Sequence, residues 1–231
     1  MPKVSVIIPV YGVELYIERC SRSLFEQSLD DIEFLFIDDC TPDKSIEILN
    51  DVLKEYPSRK DQVIIHRMGK NCGQALVRKW GILNATGEYV IHCDSDDWVD
   101  INMYRMMYEK AVEENADIVV CDYVTTDGID CSKDVVHYGC HTTNREAFIN
   151  NMLLQKDSWS LCNKLCKRTL YCKENFRFPE GAMGEDMAMT LQLMLNCNTI
   201  SYIPIPHYHY YINRFSISRC LDTNKIYIRF N

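Results

Sequence analysis

A chain of 231 residues that is 47% hydrophobic and 25% charged can bury a substantial core, as one large domain or two small ones, which excludes a disordered chain. A net charge of −8 excludes a general electrostatic hold on nucleic acid or anionic lipid as the main function. An anionic substrate would need a metal, or Arg and Lys placed for it. The twelve cysteines form no C-x-x-C pair and are scattered through apparent strands and helices, as expected of buried thiols in a reducing cytosol.

In chain order, Val4-Ser5-Val6-Ile7-Ile8-Pro9-Val10 predicts a central strand that stops at Pro9, where a ladder donor is missing. These residues are too few to cross a membrane, and no small-residue cleavage site follows them. Tyr11-Gly12 turns the chain into a loose helical stripe from Glu14 to Gln27. A second strand, Ile32 to Ile37, runs into Asp38 and Asp39. Thr41-Pro42-Asp43 then predicts a helix start, with Thr41 as cap and Pro42 in the first turn. Val63 to His66 is a third strand, Asn71-Cys72-Gly73 a turn and Gln74 to Asn84 a helix. Tyr89 to Cys93 is a fourth strand, and Asp94-Ser95-Asp96-Asp97 follows it directly. Asn102 to Asn115 predicts a Met-rich helix, and Asp117 to Cys121 a further strand.

From Thr125 to Thr143 the polar, irregular pattern predicts a loop or short edge strands. Thr143 and Glu146 spell a capping box for a helix to about Leu154. Trp159 to Lys164 has no clear period, and Arg177-Phe178-Pro179-Glu180-Gly181 is rich in turn residues. Gly184-Glu185-Asp186 opens a helix to about Asn196, and Thr199 to Tyr211 is extended, with His207 and His209 on one side. The stop at Ile228-Arg229-Phe230-Asn231 falls inside a half-apolar segment, as a truncated chain's would.

Strands alternating with helices imply an α/β fold whose parallel sheet is covered on both faces. Ligands of such sheets bind beyond the carboxyl ends of the strands. Two acidic clusters fall at that edge, Asp38/Asp39 and Asp94/Asp96/Asp97. Like charges this close raise one another's pKa values unless a cation joins them, and oxygen-only ligands suit Mg²⁺ or Mn²⁺. One of these residues could cap the next helix, but a cap needs a single Asp. The densest Cys/His group, Cys131, His137, Cys140 and His141, has a spacing that fits no usual zinc finger or ribbon.

Several blocks recur in a familiar order. They are Ser5-Val6-Ile7-Ile8-Pro9-Val10-Tyr11, Phe36-Ile37-Asp38-Asp39-Cys40-Thr41-Pro42-Asp43, Asn71-x-Gly73, Gly87-Glu88-Tyr89 and Asp94-Ser95-Asp96-Asp97. Trp159, Asn163-Lys164-Leu165, the Arg177–Gly181 loop, Glu185-Asp186 and Arg214-x-Ser216-x-Ser218 continue the series. Over nearly the whole chain this ordered set resembles the family 2 glycosyltransferases.

The resemblance implies a GT-A fold, with a mixed, mainly parallel central sheet flanked by helices. It implies one catalytic domain over residues 1–231, with a donor half at 1–123 and an acceptor and base half at 124–231. It further implies a nucleotide-diphosphate sugar donor, a Mn²⁺ or Mg²⁺ ion and inversion at the anomeric carbon. Carried over by position, Tyr11 would lie against the base, and Asp39 would accept a ring N–H, which suits a UDP-sugar. Asp94 would face the ribose and Asp96 the metal, with Asp94 as a second ligand; Asp97 would orient its neighbours or cap the next helix. Pro9, Glu14, Asn71, Gly73, Arg78 and Ser95 complete the expected donor site, and Arg214 and Ser216 would close over the diphosphate. Trp159, Lys164 and Glu185 would line the acceptor cleft, and Asp186 would be the general base. Val77-Arg78-Lys79-Trp80-Gly81 replaces the family's usual Ala-Arg-Asn-x-Gly, so the asparagine is lost, and Cys40-Thr41-Pro42 replaces Gly-Ser-Thr.

The acceptor expected from the family is a glycan or lipid-linked saccharide, which places the chain in the cytoplasm, peripheral to the inner membrane face. No basic patch in the sequence would dock it there, and no nucleic acid is expected as partner. A non-catalytic sugar-nucleotide sensor or synthase subunit is the alternative from a different class. A nucleotidyltransferase would want a Gly-rich, Arg-containing loop after the first strand, where this chain has Pro9-Val10-Tyr11-Gly12. A receiver-like phosphotransfer domain would want an Asp at that same strand end, and none is there.

Overall fold

Four parallel strands carry the two acidic motifs to one edge of the molecule. In the computed structural model, which describes residues 1–129, 131–139, 142–180 and 184–212, these are β1 (Val4–Val10), β2 (Ile32–Asp38), β3 (Val63–Arg67) and β4 (Tyr89–His92). They are hydrogen-bonded in the order β3-β2-β1-β4. Helices α1 (Ile17–Phe25), α2 (Ser45–Glu55) and α3 (Gln74–Asn84) lie between them in the chain. The strands read as apolar runs because both faces are covered; β2 is buried at every position.

Beyond β4 the sheet becomes mixed. β8 (Lys164–Lys167) is antiparallel to both β4 and β6 (Ile118–Thr126), and β9 (Ile200–Tyr211) runs parallel to β6. β5 (Trp98–Val99) lies antiparallel to β9, and β7 (Val135–His137) pairs with β6. Helices α4 (Met103–Glu113), α5 (Arg145–Leu153) and α6 (Glu185–Asn196) complete the layers. One core, with Val6, Ile8, Phe34, Phe36 and Met107, lies on the face of α1, α2 and α4. The other, with Ile7, Leu35, Ile37, Val77, Phe148 and Leu193, lies on the face of α3, α5 and α6. Among the described residues no helix is long and apolar enough to cross a membrane.

Several local expectations are corrected. β1 does not stop at Pro9: it pairs through Val10 with β2, whereas its ladder with β4 ends at Ile7. The Pro9 carbonyl accepts the Ser95 hydroxyl at 2.7 Å, so Pro9's missing donor faces a loop that asks for none. Thr41 does not cap α2. Its hydroxyl accepts the Gly12 N–H, and Asp43 accepts the Ser45 N–H at 3.1 Å in its place. Thr143 likewise yields to Asn144, whose side chain accepts the Ala147 N–H at the start of α5. Segments 98–99 and 164–167, without strand signals of their own, are strands because their neighbours pair with them.

Candidate active site

The carboxyl ends of β1, β2 and β4 present the two acidic motifs. The Asp39 N–H donates to the Val10 carbonyl at 3.0 Å, so Asp39 and Tyr11 leave adjacent strands side by side. Tyr11 is 48% exposed, as a ring that receives a flat ligand would be. Asp38 is buried and committed to the scaffold, accepting the Thr41 N–H at 2.7 Å and an Arg67 N–H at 3.0 Å. Asp39 accepts the Cys72 and Gly73 N–H groups at 2.8 and 2.9 Å, one on each oxygen. Gly73 supplies that second donor with φ of 83°, a conformation natural to glycine just before α3. Asn71 beside it is exposed, and Glu14 accepts the Lys44 N–H at 3.1 Å.

Arg78 organises the centre of the site. It is fully buried on α3, and one guanidinium nitrogen lies 2.9 Å from Asp94 and 3.5 Å from Asp186. Burial works against its charge, but the Asp186 and Asp94 carboxylates outweigh this and hold it protonated. Asp94 also accepts the Gln74 amide at 3.0 Å. Gln74 and Arg78 are four apart on α3 and so share a face, a spacing that could have pointed to Gln74 in the sequence. Asp94 and Asp186 are 26% and 29% exposed at the side chain, so both remain open to a ligand. Burial pushes the Asp186 carboxyl up from the ordinary range; Arg78 pulls it down, and Asp94 pushes it up again. The neighbouring Glu185 is buried instead, and its carboxyl is likewise raised by burial and then by Asp186.

The rest of the acidic loop is held by late parts of the chain. Asp97 is buried; it accepts the Tyr208 hydroxyl, and the Tyr211 N–H at 2.7 Å. Tyr208 in turn accepts the Asp94 N–H at 3.1 Å. Asp97 therefore orients the loop rather than capping α4. Its carboxyl is raised far above its ordinary range by burial and by the charges of Asp96 and Asp94. Arg19 of α1 donates to the Asp96 carbonyl at 2.9 Å while stacked over Trp98 and Tyr211. Neither Arg19 nor Tyr208 carries a signal in the sequence, since both act across long separations.

On the far side, Lys164 is 1% exposed and spends its three donors on the Ser158 and Ser160 carbonyls and the Asn163 amide. It shapes the 158–163 loop from within, with no donor left for an acceptor. The Trp159 carbonyl accepts the hydroxyl of Thr190, one helical turn past Asp186. His207 and His209 both bond to Asp100, at 3.2 and 2.8 Å. Of the Cys/His group, His137 bonds Thr125 while Cys140 and His141 lie outside the described residues, as do Arg214 and Ser216.

Among the described residues, no three His, Cys, Asp or Glu side chains converge as a metal-binding group. The donor set suits a narrower case: Asp94 and Asp96 offer oxygens only, from one loop, beside an arginine. Mg²⁺ in nucleotide sites takes one or two carboxylates, with water and phosphate oxygens for the rest. The residues present therefore fit an ion held mainly through a bound diphosphate.

Glycosyltransferase GlyA of Streptococcus pneumoniae is 32% identical over 226 residues, which cover 94% of this chain and 32% of GlyA. The solved structure of S. aureus TarS 1-349 in complex with UDP-GlcNAc superposes with a TM-score of 0.78 at 22% identity, covering 93% of this chain and 60% of that one. Mannosyltransferase PcManGT from Pyrobaculum calidifontis, in complex with GDP-Man and Mn²⁺, superposes with a TM-score of 0.67 at 17% identity, covering 93% and 58%. The chain thus spans a third of its curated relative GlyA, and its fold is the mainly parallel GT-A sheet flanked by helices. Residues 5–188 match the sequence profile of Glycosyl transferase family 2, and the chain belongs to that family.

Proposed function

We propose that the chain is an inverting glycosyltransferase, moving a sugar from a nucleoside-diphosphate donor, a UDP-sugar, to a glycan or lipid-linked saccharide. The observation that carries this reading is the placement of Arg78 between Asp94 and Asp186. The donor-side carboxylate and the base come from segments 92 residues apart, and one buried cation holds them at a common centre. In this reading residues 1–123 hold the donor, and residues 124–231 carry the base and receive the acceptor.

Tyr11 lies against the base, and Asp39 accepts the pyrimidine N–H; each carboxylate oxygen has a second lone pair beyond the backbone N–H it holds. UDP-GlcNAc bound to TarS supports a uridine donor. Asp94 and Asp96 would hold Mn²⁺ or Mg²⁺, and Mn²⁺ with PcManGT supports this. When bound, such an ion neutralises charge on the leaving diphosphate. Asp186 accepts the proton of the acceptor hydroxyl as its oxygen attacks the anomeric carbon from the face opposite the diphosphate. The new C–O bond forms as the old one breaks, so the configuration inverts and the nucleoside diphosphate leaves. A raised Asp186 pKa makes that carboxylate a stronger base than an ordinary Asp.

Calorimetry with a small panel of nucleotide sugars, with and without Mn²⁺, together with donor hydrolysis, tests the reading. UDP-sugars should bind only with the ion, and hydrolysis should be slow but measurable. Asp186→Asn should bind donor as before and lose about 10²–10⁴-fold in turnover. Tight donor binding without hydrolysis or transfer to any acceptor would favour the sensor reading.

A further inference from the structure

A cavity of about 410 Å³ opens between β6, β7, β9 and the 158–163 loop, and no role has yet been given to it. It lies within the range of about 300–1,000 Å³ typical of small-molecule sites. Tyr123, His137, Tyr208, Tyr210, Ser160 and Asn163 line it. We propose that this cavity seats the terminal acceptor sugar, and that the ring it takes is an uncharged pyranose. That the ring is an acceptor rests on the transferase reading above; the cavity's fit to a neutral ring does not.

Its position comes first. Tyr208 forms part of the wall, and its hydroxyl is bonded to Asp97 and to the Asp94 N–H, so the cavity abuts the back of the acidic loop. The opposite wall is the 158–163 loop, which Lys164 fixes through the Ser158 and Ser160 carbonyls. Trp159, in the same loop, accepts through its carbonyl the hydroxyl of Thr190 on α6, the helix that carries Asp186. The cavity is therefore bounded by one segment that touches the donor-side loop and one that touches the helix of the proposed base.

Its lining comes second. A pyranose presents an apolar C–H face and a rim of hydroxyls that both donate and accept. Aromatic rings match the face, and serine, asparagine and tyrosine groups match the rim. Tyr123 and His137 stack face to face with centroids 4.6 Å apart, so each ring holds the other in place and an aromatic wall is fixed at this side of the cavity. The His137 ring is tied to the Thr125 hydroxyl at 2.7 Å, and its burial keeps it uncharged at neutral pH. Among the described residues, no acidic or basic side chain other than this histidine lines the cavity. A uronate or a phosphorylated ring would enter without a counter-charge and lose its water.

Ligand-observed saturation-transfer NMR on the full chain tests this, with methyl glucoside and methyl N-acetylglucosaminide as neutral probes. Methyl glucuronide and glucose 6-phosphate are the charged probes. Val135 lines the cavity on an exposed face of β7, so Val135→Trp fills the space without touching the core. His137→Ala is the second variant, removing half of the stacked wall. Neutral probes should give signal on the wild type and lose it on both variants, and charged probes should give none. Absence of signal from both neutral probes overturns the proposal, as does signal that survives in both folded variants. Equal signal from charged probes overturns the neutral assignment. Calorimetry of UDP-sugars on the same samples separates the two readings. Donor binding with a silent cavity leaves the transferase standing, whereas a working cavity without donor binding sinks the transferase and not the pocket.

Discussion

At the scale of single residues, charge placement decides the behaviour of the site. Arg78 is a buried cation shared by two carboxylates, and removing it leaves both without that counter-charge beside a core. Arg78→Ala should destabilise the chain by about 3 kcal/mol, the low end for breaking a buried pair, because both acids keep some water. Denaturant unfolding checks this, and a loss below about 0.5 kcal/mol would mean that the pair is fully solvated. Asp186 makes a second prediction. Its folded pKa is raised, first by burial, so it takes up a proton at a higher pH than an ordinary Asp. The proposed base works only when unprotonated, so the rate should fall as pH drops, with its acid limb above the ordinary carboxylate value of about 3.9. Arg78→Ala should move that limb further up, which pH–rate profiles of the two forms would show.

At the scale of elements, close packing at the amino end of the sheet sets where the acidic loop emerges. Gly87 precedes β4, and a Cβ there would meet the Ser5 nitrogen at 2.7 Å and the Val4 carbonyl carbon at 2.9 Å. Both are backbone atoms of β1 and cannot give way as a side chain could. Gly87→Ala should therefore cost about 1–3 kcal/mol, as overpacking does, and lower the melting temperature without altering the exposed Tyr11. The parallel strands and α3 were legible in the sequence because apolar runs, turn residues and helical periodicity are local signals. Asp39, Asp94 and Asp186 were legible as site candidates because they stand in short acidic motifs at strand and helix ends. Lys164 could not be judged that way: whether a lysine faces a cleft or fills a loop depends on acceptors that only the fold supplies. β5 and β8 were illegible for the same reason, being strands by virtue of partners in β9, β4 and β6. The caps shifted because Asp43 and Asn144 reach the first-turn N–H groups that Thr41 and Thr143 do not.

At the scale of the whole molecule, the thiols report on the integrity of the two cores. Cys20, Cys93, Cys121, Cys162, Cys166 and Cys197 are buried, whereas Cys131 and Cys172 are exposed. Iodoacetamide should label Cys131 and Cys172 quickly in the folded chain and the six buried thiols only on unfolding, with peptide mass spectrometry as the readout. Early labelling of Cys93 would place an opening right behind the acidic loop. The union of Asp97 with Tyr208 has one more consequence, for the order in which the chain is made. The carboxylate and its hydroxyl partner are 111 positions apart. A ribosome working at roughly 5–20 residues per second needs about 6–20 s to travel that distance. For that interval the emerging chain owns its acidic motif without the strand that fixes it, and the three aspartates must repel one another in water. Nascent protein should therefore acquire donor affinity late, when β9 docks, however early its aspartates leave the tunnel.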